Sequence, residues 1–262
     1  CMIHVTRGWI FSILPVIAKQ EEHMLAQVVL TPAESKKLIA KAIAGLDIVR
    51  QAAAEGLVVL HPSSSTYFIF EELTGMKPVT NHWVCGVVAP RGMCVEMAMA
   101  LGNNTPQGDS YDPGELGGLW TIKKGKVLTE STTAELMEQM TAADVYIKGV
   151  NALDNQGNVG ILCGERGALG VIFSAWKKKK FTLVFPVGLE KLIPISIRQA
   201  AMEAKQAKYE YGMGLPAGLF PCPAGTTITE ITAINMLSGA TAVPIASGGL
   251  GGLSAGLGPI LL

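Results

Sequence analysis

Aromatic residues, net charge and paired cysteines are all scarce in this sequence, and each shortage removes a class of protein. Phe, Trp and Tyr make up 6% of the 262 residues, against 49% hydrophobic residues and 30 glycines; that balance argues against a sandwich of β-sheets. Lys plus Arg and Asp plus Glu each number 21, so the formal charge is zero. Phosphodiester backbones require a clustered positive face, so nucleic acid is not an expected partner. The one basic run, Lys177, Lys178, Lys179 and Lys180, falls between a helical pattern and a strand, where cations suit a helix C-terminus and face water. Cys1, Cys85, Cys94, Cys163 and Cys222 are odd in number and lack C-x-x-C spacing. Neither a disulfide framework nor a metal site is expected, and a reducing, cytoplasmic setting is the default. Long apolar runs are missing too. Residues 9–18 follow Arg7 as a short signal-like core, too short to span a bilayer, so no membrane partner is expected. Residues 1–24 are set aside as an N-terminal extension, with Met24 a candidate natural start, and the C-terminus is read as stopping in mid-strand.

What is present suits a parallel sheet covered by helices. The expected fold class is α/β: an open, mainly parallel, Rossmann-like sheet with helices on both faces, formed by a single domain over residues 25–262. The central stretch runs from Gly56 to Gly75. Leu57, Val58, Val59 and Leu60 form an apolar run bounded by Gly56 and Pro62, which reads as a buried parallel strand. His61, Pro62, Ser63, Ser64, Ser65 and Thr66 break the pattern, and helical spacing resumes from Tyr67 to Leu73. A helix start carries unpaired N–H groups and partial positive charge, so this corner is a candidate anion site at Ser63, Ser64, Ser65 and Thr66. Ordinary helix capping explains one hydroxyl there but does not call for four.

Around this stretch, Thr31, Pro32 and Glu34 predict a capped helix start, continuing to Ala54 with a break near Gly45. A polar stretch from Gly102 to Gly118, within a candidate lid or small subdomain over 102–128, precedes a predicted hairpin around Lys124 and Gly125. Strands are expected over 144–149, 159–163 and 181–187, and helices over 132–140, 164–175, 196–208 and 227–237. Gly248, Gly249, Leu250, Gly251 and Gly252 form a glycine-rich turn that either supplies oxyanion amides or serves flexibility and close packing.

With these pieces in order, residues 40–193 resemble the superfamily of ribose-5-phosphate isomerase, glucosamine-6-phosphate deaminase, the sugar-phosphate sensing domains of bacterial repressors, and CoA transferases. A G-x-G-S-T phosphate loop falls on Pro62 to Thr66, with Ser65 and Thr66 matching its hydroxyl pair and both glycines replaced. The isomerase motifs D-G-A-D-E and K-G-G-G-G-A-L fall on Lys148-Gly149-Val150-Asn151-Ala152 and on Cys163-Gly164-Glu165-Arg166-Gly167-Ala168-Leu169. Gly149, Gly164, Gly167, Ala168 and Leu169 match. The proton-moving positions do not: Lys148 and Asn151 stand for the two Asp, and Cys163 for the Lys. An aldose–ketose isomerase needs a carboxylate base that an amide cannot replace, so ribose-5-phosphate isomerase activity is excluded.

The resemblance implies a small anionic metabolite as partner, a phosphosugar or an acyl-CoA. No cofactor is required, CoA is the one group it allows, and a homo-oligomer is left open. As an enzyme, the chain would use Glu165 as a CoA-transferase-like nucleophile that attacks a thioester to give an acyl anhydride; the bland alternative is a first-turn acid favoured by the helix dipole. His61 is a candidate base or a structural histidine. As a sensing module without turnover, the chain would need only Ser63 to Thr66 with Lys148 and Arg166 as anion partners. A purely structural or oligomeric subunit is the third expectation.

Overall fold

The computed structural model describes residues 25–77, 86–89, 93–96, 119–128, 131–163, 167–204, 217–246 and 257–261. Strand β1 (Gln27–Leu30) leads into helix α1 (Pro32–Ala44). Thr31 caps that helix reciprocally: Glu34 N–H donates to Thr31 Oγ1 at 3.3 Å and Thr31 N–H donates to Glu34 Oε2 at 2.8 Å. The expected break is real, since α2 (Asp47–Glu55) begins anew after Gly45 and Leu46. Next come β2 (Leu57–His61), α3 (Ser64–Thr74), β3 (Gly86–Ala89), β4 (Met93–Glu96), β5 (Trp120–Lys123) and β6 (Lys126–Leu128). Lys124 and Gly125 both have positive φ, 49° and 75°, the backbone that joins twisted hairpin strands most tightly. This turn is tied down where Gly125 N–H donates to the Ala53 carbonyl at 2.7 Å.

The remaining elements are α4 (Thr133–Gln139), β7 (Val145–Lys148), β8 (Ala152–Leu153), β9 (Val159–Cys163), α5 (Gly167–Lys179), β10 (Thr182–Pro186), α6 (Ile197–Glu203), β11 (Gly218–Pro221), β12 (Thr226–Ile228), α7 (Glu230–Ser238), β13 (Val243–Pro244) and β14 (Leu257–Leu261). A mixed α/β fold results. Its main sheet has the order β12-β10-β7-β2-β5-β6; the first four strands run parallel, and the β5–β6 hairpin adds antiparallel at the far edge. Residues 119–128 of the expected lid region are therefore part of the main sheet, while 102–118 lie outside the described residues.

Alternation along the central strands sends side chains to two cores. Val59, Tyr146, Leu183 and Phe185 pack with Leu136 of α4 and Ile172 of α5 on one face. Val58, Leu60, Ile147 and Val184 pack with Ile43 of α1, Val49 of α2 and Ile69 of α3 on the other. Each such apolar side chain contributes about 1.5–3 kcal/mol by leaving water, so both helix layers are required. Among the described residues, no helix is long and apolar enough to cross a membrane.

The strand expected at 159–163 is present as β9, paired antiparallel with β8 and β11 in a separate three-stranded sheet. One expectation is corrected. The helix expected from Thr227 starts later, because residues 226–228 pair with β10 and Thr229 takes the cap position, accepting from Thr232 N–H. The strand at 27–30 was not foreseen at all. A buried carboxylate organises the turn before β9: Asp154, 2% exposed, accepts from Gln156 N–H at 3.0 Å, Asn158 N–H at 2.9 Å and Ile197 N–H at 3.0 Å. Burial alone would raise its pKa, but the bonds from Ile197, Asn158 and Gln156 outweigh it and hold the group below the usual carboxylate value.

Asp154→Ala leaves those amides unpaired and should lower the unfolding free energy by about 3 kcal/mol, read from denaturant melts. The sign with pH follows from the lowered pKa. The contribution is full above the unfolded value of about 4 and is lost as pH falls through the folded one, so the variant should lack this part of the wild type's acid sensitivity.

Candidate functional site

The chain reverses its winding direction next to β2. The connection leaving β2 runs through α3 on one face of the sheet, whereas that leaving β7 reaches α5 on the other. Neighbouring parallel strands whose exits part in this way leave a crevice outside their carboxyl ends, where open α/β sheets receive ligands. His61 and Lys148 end these strands directly opposite one another in register. By alternation both belong to the face of Val59 and Tyr146.

The serine corner opens α3 as expected, with the helix starting at Ser64, three residues earlier than its apolar spacing indicated. Its four hydroxyls do not form one array. Ser63 is the cap: its Oγ accepts from Thr66 N–H at 3.1 Å. Thr66 is fully buried, and its hydroxyl donates to the His61 carbonyl at 2.7 Å while lying 2.9 Å from Ser63 Oγ. With the Thr66 proton on that carbonyl, Ser63 is the donor in the contact between the two hydroxyls. Ser65 is also buried, at 4% exposure, and Ser63 and Ser64 are half-buried. The first-turn amides of Ser64 and Ser65 find no acceptor among the described residues. The turn after β7 passes close by. A Cβ on Gly149 would stand 2.8 Å from Ser63 Oγ, so only glycine lets the two loops approach this far.

Lys148 is 5% exposed, and its charge acts on three neighbours. Burial first, and the Lys148 charge second, keeps the half-buried His61 imidazole well below its ordinary pKa. His61 Nδ1 lies 2.8 Å from the Tyr146 hydroxyl, and the two rings meet edge to face. Cys163 and Cys222 are not in disulfide bonds. Burial raises both, Cys222 to about 12, with Lys148 opposing weakly, so neither is a ready thiolate at neutral pH. Asn151, at one replaced acid position, accepts from Leu162 N–H at 3.1 Å through its side-chain oxygen.

The structure thus brings together His61, Ser63, Ser64, Ser65, Thr66, Lys148 and Gly149. Gly164, Glu165, Arg166, Gly248, Gly249 and Gly251 lie outside the described residues, and Gly167 begins α5. Tyr146 was missed, since it reads as one more apolar member of a buried strand; its signal is the two-residue spacing from Lys148. Missed too was a cavity of about 560 Å³ at the opposite, amino end of β2, lined by Arg50, Ala53, Leu73, Ile122, Lys126 and Val127 among others. Among the described residues no group of three His, Cys, Asp or Glu is placed to hold a metal ion. Neither a protein-family model nor a curated protein matches the chain.

The depressed His61 pKa fixes a pH response. The unfolded chain takes up a proton below the ordinary histidine value of about 6.5 and the folded one does not, so stability falls as pH drops from there. Between pH 6.5 and 5.5, wild type should lose up to about 1 kcal/mol more than His61→Gln, measured by urea melts at the two pH values.

Proposed function

We propose that this chain binds a small anionic metabolite, of the phosphosugar or acyl-CoA kind, in the crevice at the carboxyl ends of β2 and β7. The supporting observation is the buried Lys148 at the end of the adjacent strand, whose next residue, Gly149, passes against Ser63, the cap of α3. The first-turn amides and the buried ammonium are hydrogen-bond donors, a combination that favours an oxyanion. The parallel sheet flanked by helices fits the resemblance to the isomerase, deaminase and CoA-transferase superfamily, while Lys148 and Asn151 in place of its acids leave aldose–ketose isomerisation without a base.

Two outcomes of binding follow from this reading. In one, Glu165 attacks a bound thioester, expelling CoA thiolate as the acyl anhydride forms, and the thiolate then attacks the glutamyl carbonyl, releasing the acyl group as a carboxylate and leaving a glutamyl–CoA thioester, so that the chain is a transferase; in the other, the chain senses a sugar phosphate without turnover. Thermal melts with ribose 5-phosphate, glucosamine 6-phosphate, acetyl-CoA and inorganic phosphate test the shared premise. A ligand at one hundred times its Kd should stabilise the fold by about 2.7 kcal/mol, and Lys148→Met should lose most of that gain. If none of the panel raises Tm, the receptor reading is wrong. Intact mass after incubation with acetyl-CoA separates the outcomes, since a CoA adduct absent from Glu165→Gln marks transfer and stabilisation without an adduct marks sensing.

A further inference from the structure

We infer that Tyr146 is a positioning residue of the crevice: its phenol donates to Nδ1 of His61 and fixes the imidazole as the Nε2–H tautomer, so that His61 meets the ligand as a hydrogen-bond donor rather than as a base. This deepens the receptor reading and rests on it for the ligand, though not for the tautomer.

Three observations carry the inference. The first is geometric. Tyr146 is fully buried between Phe181 and His61, so its hydroxyl is held in place, 2.8 Å from Nδ1. Of the two partners a phenol is the better donor and an sp² imidazole nitrogen the better acceptor, which places the shared proton on the tyrosine and the ring proton on Nε2. Second, Nε2 has no hydrogen-bond partner among the described residues. A polar atom on a half-buried ring with no protein partner is satisfied by a ligand or water oxygen. Third, the charge beside it is positive. Lys148 stands opposite His61 in register, and its cation disfavours a second positive charge on the ring. A neutral Nε2–H beside the Lys148 cation is a donor next to positive charge, so the ligand atom that it meets is an oxygen bearing negative charge, as in a phosphate or a carboxylate.

The test is long-range ¹H–¹⁵N correlation spectroscopy on the full ¹⁵N-labelled chain at pH 7, with the His61 signals assigned by their loss in His61→Gln. A pyrrole-type Nε2 and a pyridine-type Nδ1 are expected in wild type without ligand. A pyrrole-type Nδ1, or the imidazolium pattern, would overturn the inference. Tyr146→Phe should lose the fixed pattern and show averaged tautomers; an unchanged pattern in a folded variant would equally sink the role given to Tyr146. Because the spectra need no ligand, failure of the phosphosugar and acetyl-CoA panel bears on the receptor reading alone, and the tautomer pattern is decided separately. Should Tyr146→Phe not fold, the wild-type spectrum still decides.

Discussion

Parallel pairing of β2 with β7 is the constraint on which the other features depend. Val58, Val59 and Leu60 sit opposite Val145, Tyr146 and Ile147, so one register sorts the apolar side chains of both strands onto two cores at once. A one-residue slip would turn each of them to the wrong face. The same register sets His61 against Lys148 at the strand ends. The exits of the two strands then go to opposite faces, the topology at which open α/β sheets receive ligands.

Electrostatics follow from that placement. A buried ammonium carries a large desolvation cost unless it is compensated, and Lys148 sits at the end of a strand whose other members are wholly enclosed. Burial and the Lys148 field together keep His61 neutral, whereas the cysteine thiols stay protonated through burial, against that field. The corner is therefore a set of donors rather than a set of nucleophiles. A carboxylate tie exists elsewhere on the same edge: Glu230, fully buried at the start of α7, accepts from Ser35 of α1 and from Leu189 N–H at 3.0 Å. Burial raises its pKa, and it links α1 and α7 to the exit of β10.

What could be read from the sequence was local. The strand at 57–61, the cap at Ser63, the capping boxes at Thr31 and Thr132 and the turn at Lys124 and Gly125 each obey rules that reach only a few residues. What could not be read was the product of distant pairing. Val159 to Cys163 has the composition of any buried strand, and only the arrival of Gly218 to Pro221 beside it determines that it leaves the main sheet. The four hydroxyls of the corner look equivalent in sequence, yet helix geometry turns Ser65 and Thr66 inward and leaves Ser63 and Ser64 half-buried. The Tyr146 contact was hidden for the same reason, since nothing local says which residue a strand's inward side chains will meet.

The most direct test of the anion receptor is a crystal structure of the full chain with a phosphorylated ligand that raises its Tm. The phosphate group is expected against the first turn of α3, within hydrogen-bond distance of the Ser64 and Ser65 amides and next to Lys148. Density for that group in the cavity between Arg50 and Lys126, at the other end of β2, would contradict the account.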